Sequence, residues 1–358
     1  MPHIWLRAEA KPFEQRAALT PAAARELITS GHTVSVEECV NRIFGIEQYR
    51  QAGCRIVPAA SWQDAPEGCY VLGLKELPEP LPALQHRHIY FAHAYKQQAG
   101  WRQLLNKFAD DGGRLFDLEY LLDGNGQRIA AFGYWAGFAG AALGVMNWMR
   151  HPGTMEPIRS YPDRNQLLAE VTNLLEMSET RPRAIIIGAK GRSGRGAAEL
   201  CQSLEIETTL WDMEETAQGG PFGEILEHDI FLNCVLVQSD PRPFITNDLL
   251  EKKRLLTSVV DVSCDPYSVY NPLPVYTDCT TFARPALRLR DKPVLDLIAI
   301  DHLPSMLPKE SSEDFSGQLL GALLELPDGR TWQRAVDLFE DKKAQAMCQG
   351  NMLPAEKH

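Results

Sequence analysis

Several protein classes are excluded by what this chain lacks. Its eight cysteines include no Cys-x-x-Cys pair and no His/Cys cluster at zinc spacing, so neither a structural metal nor a disulfide framework is indicated. There is no basic tract, and the net charge is -11. Nucleic acid is therefore not the expected partner, although an acidic protein can still carry a local cationic cleft. The N terminus, Met1-Pro2-His3-Ile4-Trp5-Leu6-Arg7, has no signal-peptide apolar core, and Ala355-Glu356-Lys357-His358 is not a peroxisomal tripeptide. The expectation is a soluble cytoplasmic protein with reduced thiols. The one long apolar stretch, residues 133–149, falls short of a membrane span and ends at Asn147 and Arg150. It is expected as a buried helix whose glycines permit close packing.

Against those absences stands one strong positive feature. Residues 183–200 read as a buried strand, a glycine-rich turn and then a helix, the layout of a dinucleotide-binding crossover. Gly188 permits the tight exit from the strand, and Gly191 lets backbone amides approach a pyrophosphate. Gly194 or Gly196 lets the helix lie close to the sheet. The spacing is Gly-x-x-Gly-x-x-Gly, a departure from the commoner Gly-x-Gly-x-x-Gly, so the second half of the signature matters. The next apolar segment ends at Asp212, where a carboxylate can accept the ribose hydroxyls and repel a 2'-phosphate, favouring NAD over NADP.

At 358 residues the chain is long enough for two domains, each with its own core. Strands are expected at residues 4–7, 33–36, 69–74 and 88–92, with a helix opening at Pro21. After the glycine loop and the segment ending at Asp212, further strands are expected at 229–235, 258–262 and 294–300. A helical tail over 313–339 is expected to fold back on the first domain. The fold class is α/β: two Rossmann-like domains with parallel-rich twisted sheets flanked by helices, and the active site in the interdomain cleft. The expected division is 1–133 plus 305–358 for substrate and catalysis, and 134–304 for NAD.

The candidate chemistry sits at strand ends, where ligands bind in open parallel sheets. Lys75-Glu76 follows one strand, and His93 with Lys96 follows the next. A lysine beside other cations can lose its proton near neutrality, and histidine titrates there unperturbed, so the two could serve as acid and base of an amine/imine reaction. The competing reading is a surface Lys-Glu pair and a core histidine. Lys11, Arg16 and Arg7 cluster after the first strand, and Arg128 precedes the apolar run ending at Phe132. Four cations suggest a polycarboxylate substrate, because guanidinium groups hold carboxylates bidentately. Glu119 is either a partner that tunes a lysine or a structural carboxylate. Asp301-His302-Leu303-Pro304 is either a loop reaching nicotinamide and substrate or a helix start with Asp301 as N-cap.

These residues also carry a family likeness. Leu6-Arg7-Ala8-Glu9 with Lys11 and Arg16-Ala17-Ala18-Leu19-Thr20-Pro21, Gly73-Leu74-Lys75-Glu76, Phe91-Ala92-His93-Ala94-Tyr95-Lys96, Ala131-Phe132-Gly133 and Ile300-Asp301-His302-Leu303-Pro304-Ser305 resemble the NAD-dependent, lysine-forming saccharopine dehydrogenases. The likeness spans the chain to about residue 339. It extends more faintly to alanine dehydrogenase and the transhydrogenase nucleotide domain.

The resemblance implies an NAD-dependent oxidoreductase of amino-acid (lysine) biosynthesis that interconverts saccharopine with L-lysine and 2-oxoglutarate. It implies Lys75 and His93 as the acid-base groups, tuned by Glu76 and Glu119. Lys11, Arg16, Lys96, Arg128 and Phe132 are implied for substrate. Gly191, Arg192, Asp212 and Thr216 match nucleotide contacts, and Gly188, Ser193, Gly194, Val262, Ile300, Asp301, His302 and Leu303 complete the expected cofactor site. No metal is expected, and the partners are small molecules, with no nucleic acid, no membrane and a monomer as the working expectation. One departure is Ser193, where the fungal pattern has a cysteine, while Cys234 matches a family cysteine. Two alternatives stay open, a related opine or alanine dehydrogenase and a non-catalytic NAD-binding regulatory protein.

Overall fold

Strand and helix alternate along the chain because short β-branched runs are separated by amphipathic helices with recognisable starts. Thr20 caps the helix Pro21–Thr29 by accepting the Ala23 amide, with proline in its first turn. Asp163 does the same for Arg164–Leu175 through the Gln166 amide. The computed structural model describes residues 1–11, 13–96, 98–237 and 242–349. It divides into two compact units, Met1–Ala131 with Ser311–His358, and Phe132–Glu310. The division expected at 133/134 and 304/305 thus falls at 131/132 and 310/311. The reason at the first boundary is that helix Gly133–Arg150, with Phe132 at its N-cap, packs wholly within the second unit.

The first unit is built on β1 (His3–Leu6), β2 (Thr33–Glu37), β3 (Arg55–Val57), β4 (Tyr70–Leu72), β5 (Arg87–Tyr90) and β6 (Arg114–Asp117). Their order is β3-β2-β1-β4-β5-β6 and every pairing is parallel. The chain runs outward in opposite directions from β1 and β4, so the carboxyl ends of these two strands mark the topological switch point. The core beneath it includes Trp5, Val71, Tyr90, Phe108 and Leu115, and the tail helix Arg330–Gln349 contributes Phe339 to it. The expected tail over 313–339 is two helices, Pro308–Leu324 and Arg330–Gln349.

The second unit orders its strands β11-β12-β10-β9-β7-β8: β7 (Arg183–Ile187), β8 (Glu207–Trp211), β9 (Ile230–Asn233), β10 (Ser258–Asp261), β11 (Leu287–Asp291) and β12 (Val294–Ile298). All pairings are parallel except β11 with β12. Ile185, Ile187, Phe231 and Val259 face one core cluster, while Ile186, Leu232 and Val260 face the other. That is the near-continuous apolar run of strands covered on both faces. The apolar stretch is the buried helix Gly133–Arg150. A Cβ on Gly137 would lie 1.8 Å from the Ser193 carbonyl oxygen, so glycine there is what lets this helix touch the glycine-loop helix Arg192–Ser203. Among the described residues no helix is long and apolar enough to cross a membrane.

Candidate active site and dinucleotide site

In the first unit the acid-base candidates leave adjacent strands side by side. The β4–β5 ladder continues beyond the strands through Gly73 N–H to Ile89 O (3.0 Å) and Phe91 N–H to Leu74 O (3.1 Å). Lys75 and His93 therefore emerge at the same sheet edge, one residue past Leu74 and two past Phe91. Lys75 is held through its backbone. Glu9, just after β1, accepts the Leu74 and Lys75 amides at 2.7 and 2.9 Å, and the buried Arg7 guanidinium donates to the Lys75 carbonyl. His93 has φ 54 and its ring stacks near Phe91, with centroids 6.4 Å apart. A non-glycine residue in the left-handed region is uncommon and clusters at functional sites. Glu76, Tyr90, His93, Gln98, Trp101 and Gln103 line a hollow of about 250 Å³.

Glu119 is the hub of this edge. Its carboxylate accepts from Lys96 Nζ at 2.8 Å and Arg128 Nη2 at 2.7 Å, and lies 3.8 Å from His93 Nδ1. Burial raises its pKa, but Arg128, Lys96 and His93 together outweigh this and hold it below the usual carboxylate range. Glu119 is thus ion-paired with both Lys96 and Arg128. Asp117, ending β6, is buried and pushed up to about 6, chiefly by desolvation. Nothing in the sequence pattern marked it.

Two expected substrate cations have other work. Arg16 is buried and engaged bidentately by Glu14, at 2.8 and 2.7 Å. Burial raises the Glu14 pKa, and the charges of Arg16 and Lys75 bring it down below the ordinary value. Arg7, buried under Lys75, pairs with Glu9 at 3.4 Å and lies over the Tyr90 ring. The reason in both cases is an acid two residues away in a tight loop. Lys11 is exposed. Phe132, grouped in the sequence reading with the substrate residues of the first unit, is the first residue of the second unit.

In the second unit the loop after β7 is shaped for a pyrophosphate. Gly188 has φ +89, and a Cβ there would lie 2.6 Å from Val235 Cγ2. Gly194 presses against the Gly188 carbonyl at the end of β7, the close approach expected of one or the other glycine, while Gly196 presses against the Tyr134 carbonyl of helix Gly133–Arg150. Gly191 is the N-cap of helix Arg192–Ser203 and provides no side-chain cap, which leaves first-turn amides available to an anion. Asp212 follows β8 directly. Its Oδ2 accepts the Lys190 amide at 2.8 Å, and Thr216 Oγ1 donates to its carbonyl at 2.8 Å. A carboxylate with further lone pairs at this corner fits ribose hydroxyls, so these residues fit NAD.

Ile300 and Leu303 are 1% exposed within the core, which leaves them backbone contacts only. Val262 is likewise packed against the helix at Gly140. Asp301 is exposed and pairs with His302, whose ring stacks on Phe282 at 4.8 Å. A short 3-10 turn, Leu303–Met306, follows with His302 at its N-cap position. Ser193 and Arg192 open the loop helix, and all eight cysteines, Cys234 included, are free. Among the described residues no group of three or more His, Cys, Asp or Glu could hold a metal.

Two mostly parallel sheets, one with a dinucleotide loop and one with a lysine and a histidine at adjacent strand ends, form a Rossmann-like architecture of the alanine dehydrogenase and transhydrogenase kind. Residues 5–139 match the alanine dehydrogenase/PNT N-terminal domain family. A solved L-alanine dehydrogenase superposes with a TM-score of 0.68 at 20% identity, covering 96% of this chain and 94% of that one. The chain belongs to the family of saccharopine dehydrogenase [NAD(+), L-lysine-forming]. It is 46% identical to the Neurospora crassa member over 95% of this chain and 96% of that protein. It is 43% identical to the Candida albicans member over 94% and 96%.

Proposed function

We propose that the chain interconverts saccharopine, NAD+ and water with L-lysine, 2-oxoglutarate and NADH. The observation that carries this reading is 43–46% identity across nearly the whole chain to proteins of that one activity. Lys75 and His93 at adjacent strand ends support the same reading. The Gly188 loop and Asp212 would hold NAD, which would supply the acceptor for the hydride on the carbon between the secondary amine and its neighbouring carboxylate.

The chain's own groups then move protons. Lys75 takes the proton from the secondary amine, gives it up to solvent, and then accepts a proton from the water that adds to the resulting imine carbon. His93 protonates the bridging nitrogen as lysine leaves. Arg128 and Arg16, each already bound to a carboxylate of the chain, are the guanidinium groups we assign to the substrate carboxylates, while Lys96 and Lys11 supply positive potential. Glu76, exposed at the hollow, and Glu119 tune the acid-base pair. The eight free cysteines suit a reducing compartment, and we place the enzyme in the cytoplasm, with small molecules as its partners.

The test is loss of absorbance at the NADH band with purified protein, NADH, L-lysine and 2-oxoglutarate. Parallel assays replace lysine with ammonia and 2-oxoglutarate with pyruvate. Oxidation confined to lysine with 2-oxoglutarate is the expected result. Turnover with ammonia and pyruvate instead would move the assignment to an alanine dehydrogenase, and none in protein that binds NADH would move it to a regulatory role. Unchanged turnover in Lys75→Met would remove Lys75 from catalysis.

A further inference from the structure

A buried carboxylate without an assigned role stands at the end of β6, beside the segment that leads to His93. Asp117 is 2% exposed and pairs in register with Tyr90, three residues before His93. Its Oδ1 accepts the Glu119 amide at 3.0 Å and closes the turn Leu118–Tyr120, which sets where the Glu119 carboxylate stands. That carboxylate holds Lys96 and Arg128 and faces His93. Asp117 Oδ2 is buried and has no hydrogen-bond partner among the described residues. The Ala92 backbone amide also favours its charged form.

An orphaned carboxylate oxygen is costly, and an apolar residue of similar size would avoid that cost. The titratable groups that sense Asp117 are His93 and Tyr90 from the β5 side, Tyr95 beyond it, and Glu119 and Tyr120 from its own turn. His93 is the one among them that can become a cation, while Lys96 and Arg128 are engaged by Glu119.

We propose that Asp117 is a positioning residue for proton transfer: it fixes the Glu119 hub through the backbone and presents a buried negative charge that favours the imidazolium of His93. The proposal rests on the proton-transfer role given to His93 above.

The test is an NMR titration of the His93 ring in full-length, 13C-histidine-labelled protein, assigned with His93→Gln, for wild type, Asp117→Asn and Asp117→Glu. The pH dependence of kcat/KM for lysine and 2-oxoglutarate is measured alongside. Asp117→Asn keeps an oxygen for the Glu119 amide but loses the charge. In that variant the His93 pKa is expected to fall by about half to one pH unit. The matching limb of the kcat/KM profile moves with it, with about a tenfold loss, and Asp117→Glu recovers part of the shift. Asp117→Glu, which keeps the charge, keeps the comparison with wild type available even if Asp117→Asn fails to fold: a displaced carboxylate is expected to move the His93 titration part of the way. An unmoved His93 titration in folded Asp117→Asn, or in Asp117→Glu where Asp117→Asn does not fold, overturns the proposal. Wild-type protein inactive on these substrates overturns the functional reading instead, and the His93 titration still decides whether Asp117 acts on His93.

Discussion

Glu9 receives the Lys75 backbone amide at 2.9 Å, so the loop leaving β1 determines where the chain leaving β4 places its lysine. The same carboxylate takes the Leu74 amide and faces Arg7, which in turn donates to the Lys75 carbonyl. The lysine backbone is thus held on both polar groups across the switch point. Hydrogen bonds to a charged acceptor contribute about 1.5–3 kcal/mol each, and misplacing a catalytic group by about 1 Å can lower rates about a hundredfold. Glu9→Gln keeps the shape but turns an amide group toward a backbone N–H. We expect kcat/KM to fall about 10- to 100-fold and the unfolding midpoint to drop by a few degrees. NADH affinity, read by fluorescence titration, should not change, because the dinucleotide residues lie in the other unit. An equal loss of NADH affinity would mean that Glu9 acts on the fold as a whole.

Gly188→Ala tests the dinucleotide loop. The added methyl would need to share space with Val235 Cγ2 and the Cys234 carbonyl group at a positive φ, and backbone has no rotamer with which to give way. The expected outcome is at least a tenfold weaker NADH complex, with lower thermal stability by about 1–3 kcal/mol. Fluorescence titration with NADH and calorimetry on the same sample check both. Wild-type affinity in the variant would show that the loop has a different role.

How far the sequence carried depended on whether a residue's partner was local. The β7 strand, its glycine loop and Asp212 were legible because strand, turn, helix and acid follow one another within about 30 residues. β4 and β5 were legible as apolar runs, and with them the placement of Lys75 and His93. β6 was not, since Arg114-Leu115-Phe116-Asp117 has only two apolar residues and becomes a strand by pairing with β5. β11, in which arginines alternate with leucines, was missed for a similar reason, as it depends on β12 for its pairing. The sequence displayed the cations Arg7 and Arg16 but not their pairing with Glu9 and Glu14. An acid two residues from an arginine in a loop was the available signal. The brace from Glu9 to Lys75 spans 66 positions and left no local trace.

Asp212→Ala tests coenzyme choice. The carboxylate accepts the Lys190 and Met213 amides and, by its charge, opposes a 2'-phosphate. Removing it should weaken NADH about 10- to 100-fold and raise the ratio of NADPH to NADH turnover. Glu215, whose Oε2 accepts the Asp212 amide at 2.7 Å, keeps an acid at this corner. The single change should therefore shift the preference without inverting it. Parallel titrations with both coenzymes measure the effect, and an unaltered ratio would show that Asp212 acts only on loop order.

Asp117 also makes a prediction about stability that does not depend on turnover. Burial raises its folded pKa to about 6, above the unfolded value. Between roughly pH 4 and 6 the folded chain therefore binds the extra proton, and the charged group is a liability at neutral pH that disappears on acidification. Glu14 and Glu119 have lowered pKa values. Their stabilisation is present above the unfolded value and is lost as pH falls through the folded one, so the two effects oppose each other on the acid side. Asp117→Asn removes only the liability, and whatever its buried amide costs does not vary with pH. The stability of the variant relative to wild type should therefore rise by roughly 2–3 kcal/mol between pH 4 and pH 7.5. Denaturant unfolding of both proteins across that range checks it. A difference independent of pH would mean that Asp117 titrates as an ordinary carboxylate, and that its burial serves packing and not the charge of His93.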